Sequence, residues 1–206
     1  MSSSPTVGLF VPLYAKSDKN DDVKNFLLAG HGMLEAEPLT LQWYAIRHAS
    51  EPHVFAIFDT FAADNGRTAH LNGKIAEALG QNASALLAKG PEIGHVNVLA
   101  SKIQKGNVKL GLHVQAEARP EKVEAVKEFL ISALPLVNEE TLTPQWYAIH
   151  LTGTNTFAIL DFNETEEGRQ AHLDGQVAAA LFAKADEFFV RKPDVMKVDV
   201  VAHRVL

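Results

Sequence analysis

The chain has 206 residues, nearly half of them hydrophobic and about a fifth charged, with a net charge of −6 and no cysteine. Such values fit a globular chain of one domain or two small ones. The charge argues against a nucleic-acid partner, whose phosphates need clustered Lys and Arg, and the lack of cysteine removes disulfides, thiolate nucleophiles and zinc–thiolate sites. No apolar run reaches the length of about 18 residues that would span a membrane. The opening Met-Ser-Ser-Ser-Pro lacks the basic-then-apolar pattern of a secretory signal, so a cytoplasmic protein is expected.

In chain order, Val7 to Tyr14 reads as a strand, short and rich in β-formers. Asp18 is placed to cap a helix from Lys19 to about Leu34, with Val23, Phe26 and Leu27 on its buried face. Leu41 to His48 and Val54 to Phe61 read as a hairpin around Glu51-Pro52. A helix from Ala63 to about Leu71 is interrupted at Gly73 and resumes from Ile75 to Leu87. His95 to Ala100 is a fourth strand, and the order β-α-β-β-α-β is that of a ferredoxin-like split βαβ unit.

The same order then begins again. Lys109 to Glu117 is a strand, and Pro120 opens a helix carrying Val123, Val126, Phe129 and Leu130. Pro144 to Leu151 and Thr156 to Phe162 form a hairpin, Glu166 to about Val190 a broken helix, and Lys197 to His203 the closing strand. The duplication is visible residue by residue. Gln-Trp-Tyr-Ala-Ile begins at Gln42 and again at Gln145, and the only two tryptophans, Trp43 and Trp146, coincide. Gly-Arg-Thr-Ala-His-Leu-Asn-Gly in the first copy answers Gly-Arg-Gln-Ala-His-Leu-Asp-Gly in the second, aligning Arg67 with Arg169 and His70 with His172. Two repeats, 1–103 and 108–206, joined by a linker at 104–107, are expected.

A four-stranded sheet with helices on one face leaves the other bare. Along the third strand Phe55 and Ile57 alternate with Ala56 and Phe58, so both faces carry apolar groups. Face-to-face pairing of the two repeats would cover them. The expected fold is therefore α+β: two tandem ferredoxin-like units whose sheets pair into a pseudo-dimeric barrel. Further homodimerisation of the whole chain is left open.

These motifs resemble the antibiotic biosynthesis monooxygenase-like family of dimeric α+β barrels, here as an internal tandem fusion. The resemblance rests on Phe-Ala-Ile-Phe-Asp-Thr-Phe with Asp64, Gly66-Arg67, Ala69-His70-Leu71, Gly73 and Pro91-Glu92-Ile93. In the second copy it rests on Phe157-Ala158-Ile159, Asp161, Gly168-Arg169, Ala171-His172-Leu173, Gly175 and Pro193-Asp194-Val195. It implies a cofactor-independent monooxygenase that uses O2 to oxidise a small hydroxylated aromatic, such as a quinol or polyketide phenol, to a quinone. The superfamily also contains haem-degrading enzymes, isomerases and members without known activity, so a non-catalytic binding or stress-associated protein and a cofactor-free isomerase remain alternatives. Haem-degrading relatives look as though they use a strand asparagine, a helix tryptophan and a histidine ten residues on. Here the first strands lack asparagine, His70 and His172 replace the tryptophan, and Gly80 and Phe182 stand where the histidine would be. No cofactor and no metal are expected.

Arg67 and His70 are three residues apart and share a helix face, as do Arg169 and His172. An imidazole with an ordinary pKa of about 6.5 suits proton abstraction near neutrality, and a guanidinium can hold the resulting anion. The plainer reading has His70 bonding a carbonyl near Gly73 and Arg67 pairing with Asp59 or Asp64. Trp43 or Tyr44, and Trp146 or Tyr147, are candidate walls for an aromatic ligand, since adjacent strand residues face opposite ways. His48 aligns with Leu151 and His113 with Phe10, which points to two unequal pockets and makes His113 a further candidate. The second half is favoured slightly, because Gly30 and Gly32 weaken the first helix of the other. Glu139-Glu140 and Glu166-Glu167 read as solvated or helix-start charges.

Overall fold

The computed structural model describes residues 4–206. Met1 to Ser3, part of the opening that lacks a signal pattern, lie outside the described residues. Eight strands and eight α-helices follow the expected order among them: β1 (Val7–Tyr14), α1 (Asn20–Met33), β2 (Thr40–His48), β3 (Val54–Phe61), α2 (Asp64–Leu71), α3 (Lys74–Leu86) and β4 (Gly94–Ile103). Then come β5 (Leu110–Glu117), α4 (Val123–Ser132), α5 (Leu134–Glu139), β6 (Gln145–Leu151), β7 (Thr156–Asn163), α6 (Glu166–Leu173), α7 (Gln176–Ala183), α8 (Ala185–Phe188) and β8 (Asp194–Val205). The strands are hydrogen-bonded in the order β1-β3-β2-β8-β5-β7-β6-β4, which closes as a barrel. This is the expected α+β fold of two tandem ferredoxin-like units.

Packing divides the chain into two compact units. One runs up to Val96 and includes Asp199–Leu206; the other is Asn97–Val198. Sequence repeat and packing unit therefore part company within β4 and β8.

In the first unit β3 pairs antiparallel with both β1 and β2. Asp59 stands opposite Leu9 on one side and Trp43 on the other. Cross-strand partners share a sheet face, and Leu9, Trp43, Ala45, Phe55 and Ile57 join Val23, Leu27, Ile75 and Leu79 in one core beneath the helices. Asp59 is thereby carried toward α2. The second unit repeats this register with Asp161 opposite Leu112 and Trp146, over a core including Val126, Leu130, Trp146 and Val177.

Three local details differ from expectation. The residue before α1 is Lys19, and no side chain caps that helix; Lys19 pairs instead with Asp22, one turn in. A short 3-10 turn, Leu34–Ala36, separates α1 from β2. In the second unit the long helix breaks twice, into α6, α7 and α8.

Candidate functional site

The 3-10 turn at Leu34–Ala36 delivers Glu37 to the side of α2 that carries His70. His70 Nδ1 lies 2.5 Å from Glu37 Oε2, and its Nε2 lies 3.2 Å from Asp59 Oδ2. Thr40 Oγ1 stands 3.5 Å from the same Nδ1, and the Phe61 ring packs 5.5 Å from the imidazole, centroid to centroid. His70 and Asp59 are buried and Glu37 nearly so. Burial by itself disfavours the imidazolium, but the Asp59 and Glu37 carboxylates outweigh it and raise the His70 pKa to about 9. For Asp59, burial raises the pKa against the opposing pull of His70. At neutral pH the ring therefore carries both protons, donating one to Glu37 and facing Asp59 as an ion pair.

The second unit builds the same cluster. His172 Nδ1 lies 2.5 Å from Glu140 Oε2 and its Nε2 lies 3.5 Å from Asp161 Oδ2. Burial again opposes and the carboxylates Glu140 and Asp161 again prevail, so the His172 pKa is raised. One neighbour differs. Asn163, at the position of Phe61, donates to Asp161 Oδ1 at 2.8 Å and shares that carboxylate with the imidazole. Burial pushes Asp161 up to about 6.

Both clusters depend on a glycine one turn beyond the histidine. A β-carbon on Gly73 would stand 2.6 Å from Glu37 Oε1, and one on Gly175 would stand 3.1 Å from Glu140 Oε1. The glycine that interrupts the helical pattern in each repeat thus clears the path by which a carboxylate from a distant turn reaches the ring.

Space around the two histidines is unequal. Glu37, Thr40, Gly66, Ala69, His70 and Lys74, among others, line a cavity of about 280 Å³ in the first unit. A space of only about 20 Å³ lies beside His172, walled largely by aliphatic groups from α7 and the sheet. Glu37 Oε1 is buried without a hydrogen-bond partner at the Gly73 edge of the larger cavity.

The other residues named from sequence are distributed as follows. Arg67 is turned to Asp64 and to the Gly8 carbonyl, 3.4 Å away, and is not on the cavity wall. Arg169 is buried against Glu166 and the carbonyls of Gly111 and Val198. Trp43 and Trp146 are fully buried in the helix-side cores with unpartnered indole N–H groups. Tyr44, equally buried, stacks on Phe58, and Tyr147 meets Phe162 edge-on. His113 is buried on β5. None of these seven residues lines the cavity at His70.

From sequence Asp59 is named only as a partner for Arg67, and Glu37, Glu140 and Asp161 are not connected with the histidines at all. Glu140, read as a solvated charge, accepts from His172. A signal was present: Glu37 and Glu140 are 103 residues apart and Asp59 and Asp161 are 102 apart, the offsets that relate the two tryptophans and the two histidines. Among the described residues no group of His, Asp and Glu side chains is arranged to hold a metal ion, and no helix is long and apolar enough to cross a membrane.

No protein-family model matches the chain, and no curated protein matches it. Similar folds occur among solved structures. A candidate monooxygenase from Fusobacterium nucleatum aligns with all of this chain and 96% of its own, at a TM-score of 0.86 and 10% identity. An anthrone oxidase-like protein aligns over 98% of this chain and 93% of its own, at a TM-score of 0.68 and 7% identity. A ferredoxin-fold protein from Listeria monocytogenes, related to antibiotic biosynthesis monooxygenases, covers 96% of each chain at 0.59 and 10%. At such identities the likeness establishes the fold.

Proposed function

From the premise that this chain has the fold of the antibiotic biosynthesis monooxygenase-like ferredoxin-fold proteins, in internal tandem, we propose that its first unit oxidises a small hydroxylated aromatic with O2 and without a cofactor. The observation that carries this reading is the pairing of Glu37 with His70 on the wall of a roughly 280 Å³ cavity. A cavity of about 150 Å³ accommodates benzene, so this one suits a quinol or phenol of one or two rings. The second unit, with about 20 Å³ beside His172, has room there for little more than a water molecule.

Chemically, Glu37 and His70 act as one base. Glu37 presents a carboxylate at the wall, and His70 behind it holds the proton. The pair gives up that proton at about pH 9, close to the value of about 10 for a phenol, so transfer between them is nearly balanced in energy. The hydroxyl O–H bond of the substrate breaks, the base takes the proton, and the electron-rich phenolate reduces O2. Overall, a phenol and O2 give a quinone and water: one oxygen atom becomes the new carbonyl, and the other leaves with two hydrogens from the substrate. The cavity's contribution is to hold the ring beside the base.

The test is oxygen uptake with one- and two-ring quinols and naphthols. Saturable uptake, a quinone product and loss of turnover in Glu37→Gln are expected. Turnover that continues at the same rate without oxygen would sink the proposal. A second reading is favoured by the recurrence of the carboxylate–histidine cluster where little space adjoins it: the cluster pins α2 and α6 to their strands, and the first unit is a small-molecule binding module. Calorimetric binding of a naphthol without oxygen uptake would select that reading. Tryptophan fluorescence is the poorer probe, because Trp43 lies off the cavity wall.

A further inference from the structure

Arg204, on β8, belongs to the first unit but is not on the wall of the cavity. Its guanidinium donates to three main-chain carbonyls: that of Leu34, that of Glu37 at 3.0 Å and that of Thr40 at 2.7 Å. These carbonyls bracket the residue whose side chain reaches His70. Within the turn itself two main-chain bonds run from Glu37 N–H to Leu34 O at 2.9 Å and from Thr40 N–H to Glu37 O at 3.2 Å. A carbonyl oxygen has two lone pairs, so Leu34 and Glu37 can each accept a side-chain donor beside the main-chain bond, and the five N–H donors of a planar guanidinium suit several carbonyls at once.

The second unit uses the same device with a different cation. Lys102, on β4, stands 102 residues before Arg204 and is buried. Its ammonium donates to the carbonyls of Val137 at 2.9 Å and Glu140 at 2.6 Å, the counterparts of Leu34 and Glu37. A basic residue from a last strand thus holds the glutamate-bearing turn in both units, and only the arginine adds the third carbonyl, at the start of β2.

We propose that Arg204 is the positioning residue of the Glu37–His70 pair: by gathering the carbonyls of Leu34, Glu37 and Thr40 it fixes the main chain from which Glu37 reaches His70. The catalytic meaning of this role rests on the function proposed above; the geometric role does not. The groups around the pair are few. Glu37 and Asp59 face His70 from the turn and from β3, Thr40 adds a hydroxyl from β2, Lys74 lines the same cavity from α3, and Glu35 lies near Arg204.

The experiment titrates His70 and His172 by NMR in the full chain, as wild type, Arg204→Met and Arg204→Lys, and measures quinol oxidation in parallel. In Arg204→Met the His70 midpoint is expected to fall by about one unit or more, the size of effect a carboxylate within hydrogen-bond reach exerts. The His172 midpoint stays in place and reports that the second unit is intact. Arg204→Lys, which imitates Lys102, is expected to keep most of the shift. A folded Arg204→Met protein with an unmoved His70 midpoint would overturn the proposal, whatever its turnover. Should Arg204→Met not fold, Arg204→Gln decides: a lowered His70 midpoint with that of His172 in place supports the role, and an unmoved His70 midpoint in a folded protein overturns it. Wild-type protein that oxidises no quinol, with the titration behaving as expected, sinks the proposed function and leaves the positioning role standing.

Discussion

Glu37 can reach His70 only because residue 73 is a glycine: a β-carbon there would stand 2.6 Å from Glu37 Oε1. The severe clash falls on the tip of a flexible side chain, which moves, and the His70 carbonyl, 3.1 Å from the same β-carbon, has only a few tenths of an ångström to give. Gly73→Ala is therefore expected to change stability by no more than about 1 kcal/mol, since alanine also reduces unfolded-chain entropy. The same substitution should lower the His70 midpoint clearly. Gly175→Ala, facing a looser contact of 3.1 Å to Glu140 Oε1, should move His172 less. Two-dimensional NMR titration with urea unfolding checks both halves of this expectation.

Stability should decline on the alkaline side. The folded pKa of His70, about 9, lies above the ordinary 6.5, so the folded chain binds this proton more tightly than the unfolded one. The resulting stabilisation is complete below about pH 6.5 and is lost as pH rises through 9, with an upper bound of about 3 kcal/mol. Asp161, raised to about 6 from 3.8, has the same sign: its contribution is complete below about pH 3.8 and lost as pH rises through 6. Urea unfolding between pH 6 and about 9.5 should show the decline, and His70→Gln should reduce it, leaving the share due to His172, whose pKa is also raised. A flat wild-type curve across that range would contradict the ion-pair geometry at His70.

Catalysis should run the other way. Below about pH 9 only the minor, deprotonated form of the Glu37–His70 pair accepts a proton, so quinol oxidation should rise close to tenfold per pH unit up to that point. Glu37→Gln should cost about 10²-fold or more in kcat. A rate that is level from pH 6 to 9 would show that another group takes the proton.

The two arginines should separate by stability and not by ligand. Arg169 is buried and holds two carbonyls and Glu166, whereas Arg67 holds one carbonyl and the exposed Asp64. Arg169→Met is expected to cost about 2 kcal/mol, more than Arg67→Met, because it strands buried acceptors. Neither change should alter naphthol affinity by more than a few fold. A large loss of affinity in Arg67→Met would return the guanidinium to the site.

Much of this architecture was legible in the sequence because it is repeated. The hairpins, the helix broken at Gly73 and the pairing of Trp43 with Trp146 follow from local pattern and offset, and the strands fall where alternation puts them. The site was legible only in part. Spacing of three puts Arg67 and His70 on neighbouring positions of one helix, but it says nothing about what stands opposite either side chain. His70 faces groups 33 residues earlier and 11 residues earlier in the chain, Glu37 and Asp59. Their approach is set by how a 3-10 turn and a strand pack against α2, which no local periodicity encodes. Arg67, left beside Asp64, found its partner within its own helix turn.

The division of the units also bears on the order in which the chain takes shape. The second unit, Asn97–Val198, is one continuous stretch and has all its residues once Val198 has been made. The first unit contains the earlier-made strands and helices but draws Arg204 and its neighbours from Asp199–Leu206. On a ribosome that adds about 5–20 residues per second, the half synthesised first must therefore wait for the other. The turn carrying Glu37 stays without its arginine until synthesis has passed residue 204, by which point every residue of the second unit has already been made.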